Sequence, residues 1–135
     1  LETTPPDQPV SSPSKRKKDG IFYTPEYVTR YMVKAAVGGW LDDRRRELLA
    51  ELGLTDLPEP QPADYESITP DGANATILLN RRFWESFRER LAAIRVLDPA
   101  CGSGAFLTEV FDFLYQQWRI VTQELSALHT PLAQR

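Results

Sequence analysis

The chain has 135 residues, a formal net charge of −3 and 41% apolar residues, including three Trp, five Tyr and six Phe. That composition excludes global disorder, and the charge balance is not that of a uniformly basic nucleic-acid binder. No run approaches the roughly 20 apolar residues of a membrane span, and one cysteine, Cys101, cannot close an internal disulfide, so a reducing cytoplasm is the expected compartment. With a single histidine, His129, beside that cysteine, no metal site is expected.

Residues 1–19 are expected to be a flexible linker. Pro5, Pro6, Pro9 and Pro13 stand among Ser, Thr and Asp, and the basic block Lys15-Arg16-Lys17-Lys18 follows. The block reads as solvated chain, with a phosphate-contacting strap as the sharper alternative. Leu1 and the polar, proline-rich opening suggest an excerpt of a longer polypeptide. Order is expected from Gly20. Ile21-Phe22-Tyr23 leads into Thr24-Pro25, a helix-start signal with Thr24 as N-cap and Pro25 in the first turn. The helix is expected over 25–37, with Tyr27, Val28, Tyr31, Met32, Ala35 and Ala36 forming its apolar face and Gly38-Gly39 loosening its end.

A second helix is expected from Asp42 to Leu52, closed by Gly53, with Arg44-Arg45-Arg46 on a solvated face. Residues 54–76, with Pro58, Pro60, Pro62 and Pro70, read as loop. A third helix is expected from Leu79 to Leu91, burying Phe83, Trp84, Phe87 and Leu91. Ile94-Arg95-Val96-Leu97 reads as a buried parallel strand, and Gly102-Ser103-Gly104 turns the chain. A long helix is expected from Ala105 to about Leu125 on the spacing of Phe106, Leu107, Val110, Phe111, Leu114, Trp118 and Val121. If the rest of the sheet lies outside the chain, much of the apolar surface on 94–97 and 105–125 should be exposed.

A glycine-rich turn from strand to helix is a ligand-binding edge. The glycines allow close backbone approach, and the free N–H groups of the helix start attract an anionic group. Bulky Leu107 stands where a dinucleotide fingerprint needs a small residue, and no Gly-Lys-Ser/Thr follows for a phosphate loop. Asp98 at the strand tip would repel a phosphate. An acid beside free N–H groups suits a ligand of mixed charge, such as S-adenosylmethionine (SAM), which carries an ammonium, a sulfonium and a carboxylate.

The stretch Asp98-Pro99-Ala100-Cys101-Gly102-Ser103-Gly104-Ala105-Phe106-Leu107 closely resembles the first SAM-binding motif of the amino-methylating DNA methyltransferases. Lys17-Lys18-Asp19-Gly20-Ile21-Phe22-Tyr23-Thr24-Pro25-Glu26-Tyr27-Val28 resembles the other cofactor motif of that class, in the expected order upstream. The combination is similar to the methylase part of type IIG restriction–modification enzymes and of BREX-type phage-defence methyltransferases. The resemblance implies an α/β, Rossmann-like parent fold. Residues 20–135 would be an incomplete methyltransferase domain, mostly helical with one principal strand.

For the matching positions it implies that Thr24, with Tyr23, faces the methionine end of SAM and that Asp98 holds the ammonium. Pro99 belongs to the same loop, Ala100, Gly102 and Gly104 offer backbone surface, and Phe106 packs beside the cofactor. The implied reaction is methyl transfer to adenine N6 in DNA with the base flipped out, cytosine N4 being the nearest rival. A protein or RNA methyltransferase and a non-catalytic helical interaction module are more distant rivals. The family's catalytic Asn/Asp-Pro-Pro-Tyr/Phe does not occur in the sequence. That motif, the ribose-binding acid and most of the DNA contact would lie beyond Arg135, and the chain alone is expected to be inactive.

Overall fold

A computed structural model describes residues 24–66 and 74–129; Tyr23, the 1–19 segment and its basic block lie outside the described residues. In chain order the elements are α1 (Glu26–Val33), a π-helical segment (Lys34–Gly38), α2 (Gly39–Glu51), the short α3 (Pro62–Glu66), α4 (Ala75–Ala93) and α5 (Ala105–His129). The expectation of a mostly helical chain holds. The expected strand does not form: Ile94 is extended, with φ −60° and ψ 137°, but no strand pairs with 94–97 among the described residues. A strand is completed by a neighbour distant in sequence, and none of the described residues supplies its hydrogen bonds.

The first helix differs from its expected form in three ways. Pro25, not Thr24, is the N-cap residue, and its carbonyl accepts from the N–H groups of Val28 (2.9 Å) and Thr29 (3.1 Å). The glycine pair does not end the helix: Gly38 (φ −62°, ψ −47°) and Gly39 (φ −58°, ψ −42°) are both helical, and Gly38 sits where the ring of Phe113 on α5 comes close, a Cβ there lying 3.4 Å from Phe113 Cζ. The buried face is also not the expected one. Tyr27, Tyr31 and Met32 are exposed, whereas Thr29, Val33, Val37 and Leu41 are buried. These four recur every fourth residue. On a regular α-helix each such step overshoots a full turn by about 40°, which would swing the line about 120° off the core by Leu41. The wider i→i+5 turn over 34–38 takes up the overshoot and keeps all four facing inward.

α2 ends as its glycine predicts. Gly53, at φ 71°, donates to Ala50 O (3.0 Å) and Leu54 donates to Leu49 O (2.8 Å), the paired bonds of a Schellman cap. Arg44-Arg45-Arg46 is less free than expected. Arg44 pairs with Glu47 and lies 5.2 Å from the Trp40 ring centre, Arg45 covers Phe83 (5.3 Å) and Trp84 (5.6 Å), and Arg46 pairs with Asp43. The 54–76 stretch holds α3, and α4 begins four residues before Leu79. Asn74 caps it, accepting from Thr76 N–H at 2.7 Å. Asn80, buried on α4, donates to Pro58 O (2.8 Å) and Thr76 O (2.9 Å), which ties the proline-rich stretch to the helix.

The core lies between α2, α4 and α5. Phe83, Trp84, Phe87 and Leu91 are buried as expected, packed with Leu41, Leu48, Leu49, Ile77, Val121, Leu125 and Leu128. Arg90 spans α4 to α2 through Glu47 (3.0 Å) and Glu51 (2.6 Å). A smaller cluster of Val33, Val37 and Val110 joins α1 to α5, with Ile94, Phe106, Phe113 and Leu114 against it.

Candidate functional site

The turn between 98 and 104 is not helical, and α5 starts at Ala105 as expected. Gly102 (φ 51°) and Gly104 (φ 82°) both occupy the left-handed region, where a side chain is strained whatever space surrounds it. Gly104 N–H closes the turn on Cys101 O at 2.7 Å, and Gly104 O accepts the first helical bond from Thr108 N–H at 2.9 Å. The N–H groups of Ala105, Phe106 and Leu107 are therefore the orphan donors of the helix start. Asp98 folds one carboxylate oxygen onto the turn: Oδ1 accepts from Ala100 N–H at 3.0 Å. Its other oxygen, Oδ2, is buried and has no hydrogen-bond partner among the described residues. An unpaired buried carboxylate oxygen is costly unless something donates to it.

Asp98 and Pro99 line a cleft of about 330 Å³. Its walls are apolar: Met32, Val33, Ala36 and Val37 on one side, Val96, Leu97, Phe106, Leu107 and Val110 on the other. Ala100, Gly102 and Gly104 belong to the turn and do not line it. Of the cleft walls from α1 and the π segment, Met32 and Ala36 belong to the apolar face expected from the sequence, whereas Val33 and Val37 do not. The every-fourth-residue line of Thr29, Val33, Val37 and Leu41 is the signal for those two.

Thr24 is exposed just before α1. Its place relative to the glycine turn follows from how α1 and α5 pair. Arg30 forms an ion pair with Glu109 (3.4 Å), Val33 and Val37 pack with Val110, and further along Gly38 meets Phe113. The two helices run side by side in the same direction. Their N-terminal ends, one preceded by Thr24-Pro25 and the other by Gly102-Ser103-Gly104, lie at the same end of the pair although 80 positions separate Thr24 from Gly104. Two sets of orphan N–H groups and one unpaired carboxylate oxygen form a mixed-charge ensemble. Those residues fit the charge distribution of SAM.

The apolar surface expected to be open is open. Leu97 is 86% exposed and Phe111 68%, with Val96, Leu107, Tyr115, Trp118 and Ile120 also exposed. None of the described helices is long and apolar enough to cross a membrane.

Residues 74–131, which include α4, the glycine turn and α5, match the family described as MmeI, DNA-methyltransferase domain. The chain is also 29% identical over 97 residues to a protein of Methanocaldococcus jannaschii named as a type II restriction enzyme and methyltransferase. That alignment covers 72% of this chain but 8% of the relative's length. No solved structure matches the chain. The family match and the relative together support a restriction–modification DNA methyltransferase fragment.

Proposed function

We propose that the polypeptide containing this chain transfers the methyl group of SAM to adenine N6 in DNA, as the modifying half of a restriction–modification or phage-defence system in the cytoplasm. The observation that carries this reading is the unpartnered, buried Oδ2 of Asp98 beside a turn with two left-handed glycines. Asp98 would accept from the methionine ammonium. The N–H groups at the start of α5, with Thr24, Tyr23 and the start of α1, would receive the carboxylate end. Pro99, Ala100, Gly102 and Gly104 would give the cofactor a backbone surface, and Phe106 an apolar flank. SAM supplies an electrophilic methyl group on a sulfonium; these residues orient it and exclude water. The groups that grip the ribose, hold the adenine and contact most of the DNA would come from sequence outside this chain. So would the parallel strands that pair with 94–97 and cover Leu97, Leu107 and Phe111 in a Rossmann-like domain. Residues 1–19 would remain a linker to that domain.

Calorimetry with SAM on the full-length protein and its Asp98→Ala variant tests the cofactor site. The variant is expected to bind about 1.5–3 kcal/mol more weakly, the range for hydrogen bonds to charged groups. Equal affinity would remove Asp98 from the site. A tritiated-methyl assay on DNA, with nucleoside analysis of the product, tests the reaction. N6-methyladenine is expected, and N4-methylcytosine would replace the proposed target. Methyl transfer by residues 1–135 alone would overturn the division of labour.

A further inference from the structure

The two cofactor segments proposed above are far apart in sequence, and each is short. What brings their ends together is the parallel seam between α1 and α5. The seam has three kinds of contact. Apolar packing of Val33 and Val37 on Val110 gives it attraction but little register, since aliphatic side chains slide past one another at low cost. Register needs directional or steric features, and the seam has one of each.

Near the site, Arg30 Nε reaches the Glu109 carboxylate at 3.4 Å while also holding Glu26 on its own helix. Glu109 is half-buried on α5, five residues past the glycine turn. Farther along, Gly38 lets the Phe113 ring approach closely. A methyl group would just fit there at 3.4 Å, but any longer side chain would occupy the ring's place.

We infer that Glu109 and Gly38 are positioning residues: they fix α1 against α5 so that Thr24 and the glycine turn form one cofactor site. This rests on the SAM reading above. Neither residue need touch the cofactor. Their effect reaches it through the axial and lateral setting of α1, so it is confined to the half of the site that α1 carries.

The test measures SAM affinity by calorimetry on the full-length protein, with circular dichroism to establish that each variant is folded. Gly38→Leu is expected to raise Kd more than tenfold by forcing the helices apart, while Gly38→Ala stays within about twofold. Glu109→Arg, which sets two cations together, is expected to raise Kd about fivefold, and the exchanged pair Arg30→Glu/Glu109→Arg to recover most of that. A purely stabilising role would lower the unfolding temperature of Glu109→Arg but leave the Kd of the folded protein unchanged. Thr24→Ala should weaken SAM in the parent and have no further effect in the Gly38→Leu background, because α1 has already been displaced. Variants that bind SAM as the parent does, or Thr24→Ala and Gly38→Leu effects that simply add, overturn this inference alone. If Gly38→Leu fails to fold, the Glu109 charge exchange decides. A parent that binds no SAM overturns the cofactor reading and this inference with it.

Discussion

The two apolar clusters of this chain differ in how far they are closed. The larger one, between α2, α4 and α5, has Ile77 and Phe83 without exposed surface, aromatic rings edge to face and Arg45 lying over them. The smaller one, between α1 and α5, is flanked by an open cleft, an unpaired extended segment and a row of exposed apolar residues. Both draw on α5, whose apolar residues spread over a wider arc than one neighbouring helix can cover. The first cluster is closed by α2, α4 and α5. The second leaves apolar residues exposed around it, and it is the one beside the glycine turn. On the proposed cofactor reading, stability and ligand chemistry are segregated between the two clusters, and substitutions should sort accordingly.

The sharpest way to break that contrast is to empty the closed cluster. Phe83→Ala is expected to cost about 3–5 kcal/mol in denaturant unfolding, the range for an aromatic removed from a core. A cost near zero would mean that the larger cluster does not hold the chain together. Gly102→Val should behave differently. It forces a β-branched residue into φ 51°, at about 1–3 kcal/mol of local strain. The effect should appear mainly as lost SAM affinity in the full-length protein, and loss of stability without loss of affinity would contradict the segregation. Asn80→Ala should cost about 1–3 kcal/mol in thermal unfolding, because Pro58 O loses its partner. The loss should come with faster proteolysis between residues 54 and 61. The smallest effect is expected at Leu97→Ser. In the 135-residue chain its unfolding free energy should move by less than about 0.5 kcal/mol, since Leu97 touches little. The same substitution in the full-length protein should cost several times more if a sheet covers that residue, and equal costs in the two would argue that nothing does.

What could be read from the sequence follows the same division. The glycine turn, the start of α5 at Ala105, the closure of α2 at Gly53 and the buried aromatics of α4 are set by local chemistry or by one unambiguous stripe. They were legible for that reason. Tyr27, Tyr31 and Met32 misled because α1 carries two apolar stripes, and periodicity cannot say which one this stretch of chain covers. The 94–97 segment has strand composition and an extended backbone, but pairing is a property of a neighbour that composition does not report. Asn80 gave no signal at all: its partner Pro58 is 22 positions away in a stretch that reads as plain loop. Gly38 read as a helix breaker, since nothing local announces that an aromatic ring from α5 will come to rest against it.

The π-helical segment has a consequence for how this helix can change length. It accommodates the equivalent of one residue more than a regular α-helix would between Val33 and Gly39, so the segment carries one residue of slack. Deleting one residue from 34–36 would let the helix run regularly with Thr29, Val33, Val37 and Leu41 still on one side, at successive spacings of four, three and four. A deletion within 42–47, where the helix is regular, would instead turn Leu48 and Leu49 by about 100° relative to Leu41 and carry them out of the core. The helix should therefore accept a single-residue deletion in the π-helical segment and reject one in α2, a contrast that a deletion scan of residues 30–47 would display as a sharp boundary.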